Sequence, residues 1–496
     1  MKTIRVRQVS ASLLVAVGSF GILVPAAFAR PDNGGTGKPQ PDPSAGRAAY
    51  QQSCARCHGL TGKGDGDYGK RFYPRPRNLT SGTFKFRSTA SGTPPTDDDL
   101  FHTLTYGLSS ARMPDWHHVD ESVRWQLVSY IKNLSPVFQE QPPQPVPLGN
   151  DPGIQRADLK RGKAVYEKLG CAACHGTSGR ANGPSSAGLV DDWGHPIRPA
   201  DLTQGWNYRA GSDPRAVVTR VLTGISGAPM PSYAEAVSPE DAWQLAYYVR
   251  SLQEEPHWTM IGHATSVAHA LPESPTDPRW AAAERIDVRL RNVVNAAGEM
   301  TAPQTVTMLS VRAVYNDNAL SLRVSWHDPS ENQGDPADAL AVVLRPVGVE
   351  GDIVSLQTWP LRDTPPLDLC IWSAARSETL EGLATQYEPV LHGAGNTRTL
   401  PSRATYHDGE WTLVLTRPLS AGALEGGAQL TSARWSPMAF AVWDGSNPEQ
   451  RVVSPWIDLA WQKPPIHAAS HQAPSVVWVV SGLVGLIALG LVFRKS

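Results

Sequence analysis

Two stretches of the sequence, CARCH at residues 54–58 and CAACH at residues 171–175, repeat the pattern Cys-x-x-Cys-His. Only five cysteines occur in the 496 residues, and four of them lie in these stretches. Two thiols one helical turn apart can bond to both vinyl groups of one haem, while the adjacent histidine supplies an axial nitrogen to the iron. The repeat therefore predicts two covalent haem c groups, bound by Cys54, Cys57, His58, Cys171, Cys174 and His175.

Zinc is the competing ligand for a Cys-x-x-Cys pattern. A structural zinc site would need further cysteine or histidine partners in each segment. The histidine directly after each second cysteine, together with the export signal described below, favours haem at both sites.

Each of the two segments also contains one methionine, in a loop of small residues and directly before a proline. These are Met113 and Met230. Most methionines are core residues, but the repetition of this loop beside each motif favours a ligand role. We expect His58 and Met113 to bind one iron, and His175 and Met230 to bind the other. Two protein ligands leave no open iron position, so electron transfer is expected and no catalytic residue is assigned.

The two segments resemble class I cytochromes c. The resemblance runs from each Cys-x-x-Cys-His pattern to a closing helix, WQLVSYI at residues 125–131 and WQLAYYV at residues 243–249. In both helices Trp, Leu and Tyr recur at helical spacing. The resemblance implies two small α domains, at residues 44–136 and 157–253, with one covalent haem each.

Length and charge set limits on the rest of the chain. At roughly 100–200 residues per domain, 496 residues predict about three domains. Lysine and arginine number 45 and aspartate and glutamate 46, and neither sign dominates a long stretch. Nucleic acid is therefore not expected as a partner.

Both ends of the chain carry targeting patterns. Residues 1–29 combine a basic start, an apolar run and small final residues, which predicts a signal peptide, with an uncleaved anchor as the alternative. Residues 476–493 contain no charged side chain and precede Arg494 and Lys495. This predicts one C-terminal transmembrane helix in the bacterial cytoplasmic membrane, with the bulk of the chain in the periplasm. A buried core helix is the alternative there.

Beyond about residue 287 the hydrophobic pattern changes from helical spacing to alternation. Short alternating runs, for example at residues 306–312 and 320–326, are separated by turn signals. This pattern predicts an antiparallel β-sandwich at residues 276–462. The predicted fold class is thus two all-α domains, an all-β sandwich and a C-terminal transmembrane helix.

Four stretches of the β segment resemble the haem b domain of ethylbenzene dehydrogenase and related gamma subunits of exported molybdenum enzymes, including nitrite oxidoreductase. They are residues 277–280, 320–328, 367–372 and 440–447. The resemblance implies a subunit that exchanges electrons with an iron-sulfur subunit through a b haem held between methionine and lysine.

The β segment departs from that ligand pair. Residues 169–462 contain no lysine, and residues 310–436 contain no methionine. A b haem would need other ligands, and the sequence does not rank the candidates, which are His327, His392, His407, Met308, Met438 and Cys370. The alternative is a sandwich that binds no haem.

A basic stretch lies in the first α segment, opposed only by Asp65 and Asp67. A solvated face is one interpretation, and a docking surface for an acidic redox partner is the other. Its seven basic residues are Lys63, Lys70, Arg71, Arg75, Arg77, Lys85 and Arg87.

Together these patterns predict a membrane-anchored periplasmic electron-transfer subunit with two His/Met c haems. The expected partners are iron-sulfur or molybdenum-enzyme subunits of a nitrite oxidoreductase-like complex and other redox carriers. The alternative is a dihaem cytochrome c tethered to a β-sandwich that binds a small ligand or a partner without a b haem.

Overall fold

The structure is a computed structural model of the chain. It describes residues 42–461, except residues 269, 296, 301, 347–365, 421–423, 425, 431–434 and 448–450. The predicted signal peptide, residues 1–29, lies outside the described residues.

The first half of the described chain is helical. The α-helices found in the described residues are α1 (Pro43–Ser53), α2 (Ala55–His58), α3 (Asp97–Tyr106), α4 (Glu121–Asn133), α5 (Val137–Glu140), α6 (Leu159–Lys168), α7 (Ala172–His175), α8 (Pro214–Thr223), α9 (Pro239–Leu252) and α10 (Tyr387–Leu391). Five of the longer helices begin at a side chain that accepts hydrogen bonds from their first free backbone N–H groups. These caps are Asp42, Thr96, Asp158, Asp213 and Ser238.

Two helical domains repeat the same packing. The first helix crosses the closing helix closely in each, α1 against α4 and α6 against α9. Glycine permits both crossings, because a Cβ on Gly46 would lie 2.1 Å from the carbonyl oxygen of Gln126 and one on Gly162 would lie 2.2 Å from that of Gln244. The side chains of both glutamines also accept a hydrogen bond from the residue before the first helix.

The rest of the described chain consists mainly of strands. They are β1 (Ile261–His263), β2 (Thr265–Ser266), β3 (Ile286–Arg289), β4 (Arg291–Asn292), β5 (Met308–Tyr315), β6 (Ala319–His327), β7 (Ala339–Leu344), β8 (Leu367–Ser373), β9 (Glu378–Ala384), β10 (Thr397–Leu400), β11 (Ser402–His407), β12 (Glu410–Pro418), β13 (Ser436–Trp443), β14 (Arg451–Val453) and β15 (Ile457–Ala460).

These strands form two sheets. One has the order β1-β15-β13-β7-β8-β9-β10, with β14 paired to β13 and β4 paired to β14. The other has the order β11-β12-β6-β5-β2, with β3 paired to β5. All pairs are antiparallel except β1 with β15 and β2 with β5. The inner faces share one hydrophobic cluster, in which Trp326 and Trp411 of one sheet meet Trp372 of the other at ring-centre distances of 6.1 and 4.9 Å.

The predicted fold class is wrong in its last element, the C-terminal transmembrane helix. In the described part of the chain, no helix is long and apolar enough to cross a membrane. The longest, α9, has 14 residues, whereas a bilayer requires about 20 apolar residues. Residues 476–493, on which the prediction was based, lie outside the described residues. The fold observed is two α domains followed by a two-sheet β domain.

Candidate haem centres

Each Cys-x-x-Cys-His pattern forms a single helical turn that ends at a glycine. Helices α2 and α7 end at Gly59 and Gly176, both with φ of 79°. Residues that carry a side chain rarely adopt this left-handed backbone conformation. A Cβ at either glycine would also lie 1.9 Å from a side-chain oxygen, of Asp65 or Asn182 respectively. The turn places both cysteines and the histidine of each pattern on one short element.

The two histidines are held in the same way. His58 Nδ1 lies 3.0 Å from the carbonyl oxygen of Arg77, and His175 Nδ1 lies 2.9 Å from that of Ala200. A carbonyl oxygen only accepts, so each Nδ1 donates and each Nε2 keeps a free lone pair. Burial lowers the pKa of both imidazoles, which favours the neutral form that binds a metal.

The two methionines lie in loops of matching geometry. Met113 exchanges two backbone hydrogen bonds with Leu108, and Ile225 N–H donates to the carbonyl of Met230 at 3.0 Å. Met113 packs against the same hydrophobic cluster as Cys54, and Met230 packs against the same cluster as Cys171. The structure thus brings each predicted methionine to the domain core that its Cys-x-x-Cys-His turn also contacts.

A cavity of about 350 Å³ lies beside the Cys-x-x-Cys-His turn of the second α domain, and residues of the other two domains complete its lining. Its lining includes Cys171, Cys174, His175 and Met230. Thus the two sulfurs that would bind the vinyl groups, and both predicted iron ligands, border one space. These residues fit a covalently attached haem.

The sulfur chemistry also fits haem better than zinc. Burial raises the pKa of the Cys54 thiol to about 12 and that of Cys171 to about 11. Burial therefore favours the uncharged form of both sulfurs, and a thioether sulfur is likewise uncharged. Among the described residues, neither pattern belongs to a cluster of three His, Cys, Asp or Glu side chains.

Cationic side chains from two domains line the cavity. Arg209 makes no hydrogen bond or ion pair with any described residue. Lys85 reaches in from the first domain, and burial together with the charges of Arg77 and Arg209 lowers its pKa to about 8. Such a group of buried cations suits an anionic ligand, and the propionate carboxylates of haem would supply that charge.

Much of the basic stretch of residues 63–87 faces the other domains of the chain, whereas Lys63 and Arg71 are exposed. Five of the seven basic residues, together with Tyr73, contact the other two domains of the chain. Arg77 stacks on Trp193, Lys85 pairs with Asp191 at 3.8 Å, Arg87 donates to the carbonyl of Thr223 at 3.0 Å, Tyr73 donates to that of Pro196 at 2.5 Å, Arg75 donates to that of Met300 at 2.8 Å, and Lys70 lies 3.8 Å from Glu299.

A second interface joins the second α domain to the β domain. His327, at the end of β6, lies 2.7 Å from Asp201 through Nδ1 and 3.4 Å from Glu410 through Nε2. Arg180 pairs with Glu410 at 3.0 Å. Asp201 directly follows Ala200, whose carbonyl holds His175. The β domain therefore supports the loop that orients one predicted iron ligand.

The candidate b haem ligands of the β domain do not converge on a haem-sized space. Met438 and Cys370 are buried in the hydrophobic core, Met308 is half-buried, and His392 and His407 are exposed. His327 is engaged in the interface just described. The cavity beside Cys370 measures about 10 Å³, far too small for a haem.

Sequence reasoning did not identify the carbonyls of Arg77 and Ala200 or the contacts of His327. A signal for the carbonyls exists, because each lies two residues before a repeated Leu-Thr dipeptide, at Leu79 and Leu202. In both domains the N–H of that leucine donates to a glycine carbonyl shortly after the haem motif. No local pattern marks His327, since its partners lie more than 80 residues away.

Two family models match the chain. Residues 159–253 match the cytochrome c family, and residues 41–131 match subunit III of cbb3-type cytochrome c oxidase. The matches coincide with the two α domains.

Individual relatives also match. A protein of Haloferax mediterranei described as a respiratory nitrate reductase haem subunit is 26% identical over 231 residues, 44% of this chain and 77% of the relative. The chlorate reductase gamma subunit of Ideonella dechloratans is 28% identical over 203 residues, 39% of this chain and 80% of the relative. A chain of the reducing HAO-like protein complex of Kuenenia stuttgartiensis is 39% identical, with 43% of this chain and 98% of that chain covered and a TM-score of 0.41.

Proposed function

We propose that each cytochrome c domain of this haem electron-transfer subunit, residues 41–131 and residues 159–253, holds one covalent haem between its histidine and its methionine. The pairs are His58 with Met113 and His175 with Met230. The observation that carries the proposal is the repeated Nδ1 hydrogen bond to a backbone carbonyl, which leaves Nε2 of each histidine free for iron.

The haem supplies reversible one-electron chemistry, and the chain's residues restrict it to that chemistry. A histidine and a methionine would hold the iron of each centre, and two protein ligands would leave no position for a substrate. The hydrophobic clusters behind Met113 and Met230 keep water away and favour methionine sulfur as a ligand.

Packing contacts connect the loops of the two candidate centres. The Arg77 carbonyl accepts from His58, and the Arg77 guanidinium lies 3.8 Å from the ring centre of Trp193. That ring in turn contacts Gly227, three residues before Met230, so closely that a Cβ on the glycine would lie 2.4 Å from it. Loops that hold ligands of both centres therefore touch, which supports electron transfer from one haem to the other within the chain.

We further propose that the chain relays electrons for an extracytoplasmic oxyanion-converting molybdenum enzyme. Support comes from the similarity to a chlorate reductase gamma subunit and to a nitrate reductase haem subunit. The β domain would serve as the docking surface for the catalytic partner. Its interior is filled by side chains rather than by a haem-sized cavity, which favours the alternative without a b haem.

Haem counting with cysteine variants tests the proposal. The chain, matured in cells that attach c haem, should carry two covalent haems in a pyridine haemochrome assay and by mass. Replacing both Cys171 and Cys174 by alanine should leave one. Cys370→Ala is the matched control, because this buried thiol lies outside both patterns, and it should leave two covalent haems.

Two covalent haems in the double alanine variant would refute attachment at the second site. One haem in the wild-type chain would refute the dihaem relay. An additional haem extracted by acid acetone from the wild-type chain would show that the β domain binds a b haem. The β domain would then resemble the haem b domain of the gamma subunits in its cofactor as well.

A further inference from the structure

Three buried carboxylates meet at one edge of the β domain. They belong to Asp328, Asp338 and Asp444, with relative exposures of 0%, 0% and 3%. One oxygen atom from each lies within 4.8 Å of the others. The three positions are far apart in sequence, and nothing in the haem sites requires them.

The cluster lies where three strands begin or end. Asp328 follows β6, Asp338 precedes β7 and Asp444 follows β13. Strands β7 and β13 are paired in one sheet, whereas β6 belongs to the other. The carboxylates therefore connect the two sheets at one end of the domain.

The hydrogen-bond donors of the protein do not satisfy the cluster. Asp338 accepts from Trp411 Nε1 at 2.9 Å and from two backbone N–H groups at 2.8 Å. Asp328 and Asp444 each use Oδ1 for nearby backbone and hydroxyl donors. Their Oδ2 atoms are buried and accept no hydrogen bond from a described residue. Leaving such oxygens without a partner is costly.

Charge is also unbalanced. In the described part of the chain, one cation approaches the cluster, Arg198, whose Nη2 lies 3.7 Å from Asp444 Oδ2. Burial, followed by the charges of Asp444 and Asp338, raises the pKa of Asp328 well above its ordinary value. Three carboxylates so close in a buried site must therefore share protons or bind a further cation.

A second buried acidic group shows how the chain compensates such charges elsewhere. Asp368 and Glu381 lie in the core of the same domain. Arg417 donates to both at 2.8 Å, and Arg398 donates to Glu381 at 2.5 Å. That group is balanced by guanidinium groups, whereas the Asp328 cluster has one guanidinium for three carboxylates.

We propose that Asp328, Asp338 and Asp444 bind a calcium ion. The donors are all hard oxygens, with no nitrogen or sulfur, which suits calcium and not zinc. A divalent cation together with Arg198 neutralises the three carboxylates. Calcium also tolerates the irregular geometry that three separate chain segments provide.

The ion would stabilise the junction with the second haem domain. Arg198 belongs to that domain, donates to Ser446 Oγ at 2.8 Å and also lines the haem cavity. Asp328 directly follows His327, which contacts Asp201 on the same side. The calcium site does not depend on the proposed electron-transfer function, since its ligands all lie in the β domain.

Metal analysis of the haem-loaded chain tests the proposal. Elemental analysis after dialysis against calcium-free buffer should find about one calcium per chain, and treatment with EGTA should remove it. Thermal unfolding should shift up by several degrees when calcium is restored, and by less with the same concentration of magnesium. Asp328→Asn should lose both the calcium and the shift. Asp368→Asn, in the balanced group, should retain both.

Calcium content and thermal unfolding of the wild-type chain test the proposal even if a variant fails to fold. A wild-type chain without bound calcium and without a calcium-dependent shift would overturn the proposal, and would indicate carboxylates that share protons. An equal shift with magnesium would overturn the assignment to calcium. Retention of one calcium by Asp328→Asn would exclude this cluster as the site.

Discussion

The guanidinium of Arg77 lies 3.8 Å from the ring centre of Trp193, and this contact joins the two cytochrome c domains. The same residue holds His58 through its carbonyl oxygen. One residue thereby serves both the orientation of an iron ligand and the packing of the domains. Since the side chain of Arg77 makes the contact with Trp193 and its backbone carbonyl the bond with His58, substitutions can separate these two roles.

Arg77→Ala should weaken the contact between the two α domains without releasing His58. A double-mutant cycle with Trp193→Ala should give a coupling free energy of about 0.5–2 kcal/mol, as expected for a cation over an aromatic face. Unfolding by urea, followed at the haem absorbance, measures it. Arg56→Ala, which removes a cation 4.1 Å from the Tyr68 ring within one domain, is the control. A coupling near zero would show that the contact does not hold the domains together.

Replacing Met113 or Met230 by alanine should remove one of two methionine ligands. We expect each single variant to lose about half of the red absorption band that methionine gives to oxidised haem c, and to show one haem with a lowered reduction potential. Spectroelectrochemistry resolves the two centres. Met260→Ala, at an exposed position outside both domains, should change neither. An unchanged spectrum in Met230→Ala would exclude that residue as a ligand.

The ion pairs of Glu410 should make the junction of the second α domain and the β domain sensitive to acid. Burial acts to raise the pKa of this carboxyl, but the hydrogen bond from His327 and the charge of Arg180 outweigh it and lower the pKa below the ordinary 4.5. A lowered pKa contributes stability above pH 4.5, and this contribution is lost as the pH falls through the lowered value.

Glu410→Gln should therefore cost about 1.5–3 kcal/mol at neutral pH and flatten the decline in stability below pH 4.5. Urea unfolding from pH 3 to pH 7 measures both effects. The control is Glu240→Gln, which removes a carboxylate that is 71% exposed and 2.9 Å from Arg161, and should cost about 0–1 kcal/mol. Equal acid sensitivity of Glu410→Gln and the wild-type chain would contradict the assigned role.

Gly162→Ala should disrupt the crossing of α6 and α9. The added Cβ would lie 2.2 Å from the Gln244 carbonyl oxygen, so the helices must separate, at a cost of about 1–3 kcal/mol or more. Thermal unfolding of the holoprotein measures the loss. Gly334→Ala, where a Cβ meets nothing within 4 Å, is the control. Comparable unfolding temperatures for both variants would show that the crossing can relax.

The local patterns predicted the helical turns of the two Cys-x-x-Cys-His stretches. Residues 54–58 and 171–175 form single helical turns, as the spacing of their cysteines and histidine predicts. The alternation beyond residue 287 likewise predicted strands such as β6 and β12. Both predictions depend on neighbouring residues, for which spacing along the chain is informative.

The long-range contacts were not predictable in this way. From their charge, the basic residues of the first domain were expected to form a solvated face or a docking surface. In the structure, Arg77, Lys85 and Arg87 contact the second domain. Composition gives the charge of a segment but does not show which other part of the protein the segment contacts. The transmembrane helix was predicted from the apolar run of residues 476–493 and the basic pair that follows it. No helix of the described residues has the length or the apolar character to cross a membrane.

The amino-acid sequence by itself determined that the cysteines and the histidine of each Cys-x-x-Cys-His stretch share one helical turn, because their spacing sets the local geometry. Only the tertiary structure decided that the Arg77 and Ala200 carbonyls orient the two histidines. It also decided that Lys85 and Arg209 line the cavity beside His175, and that Asp328, Asp338 and Asp444 meet. These groups come from segments distant in sequence. Their proximity follows from the packing of domains and sheets, in which burial of apolar surface brings together polar groups that no local pattern relates.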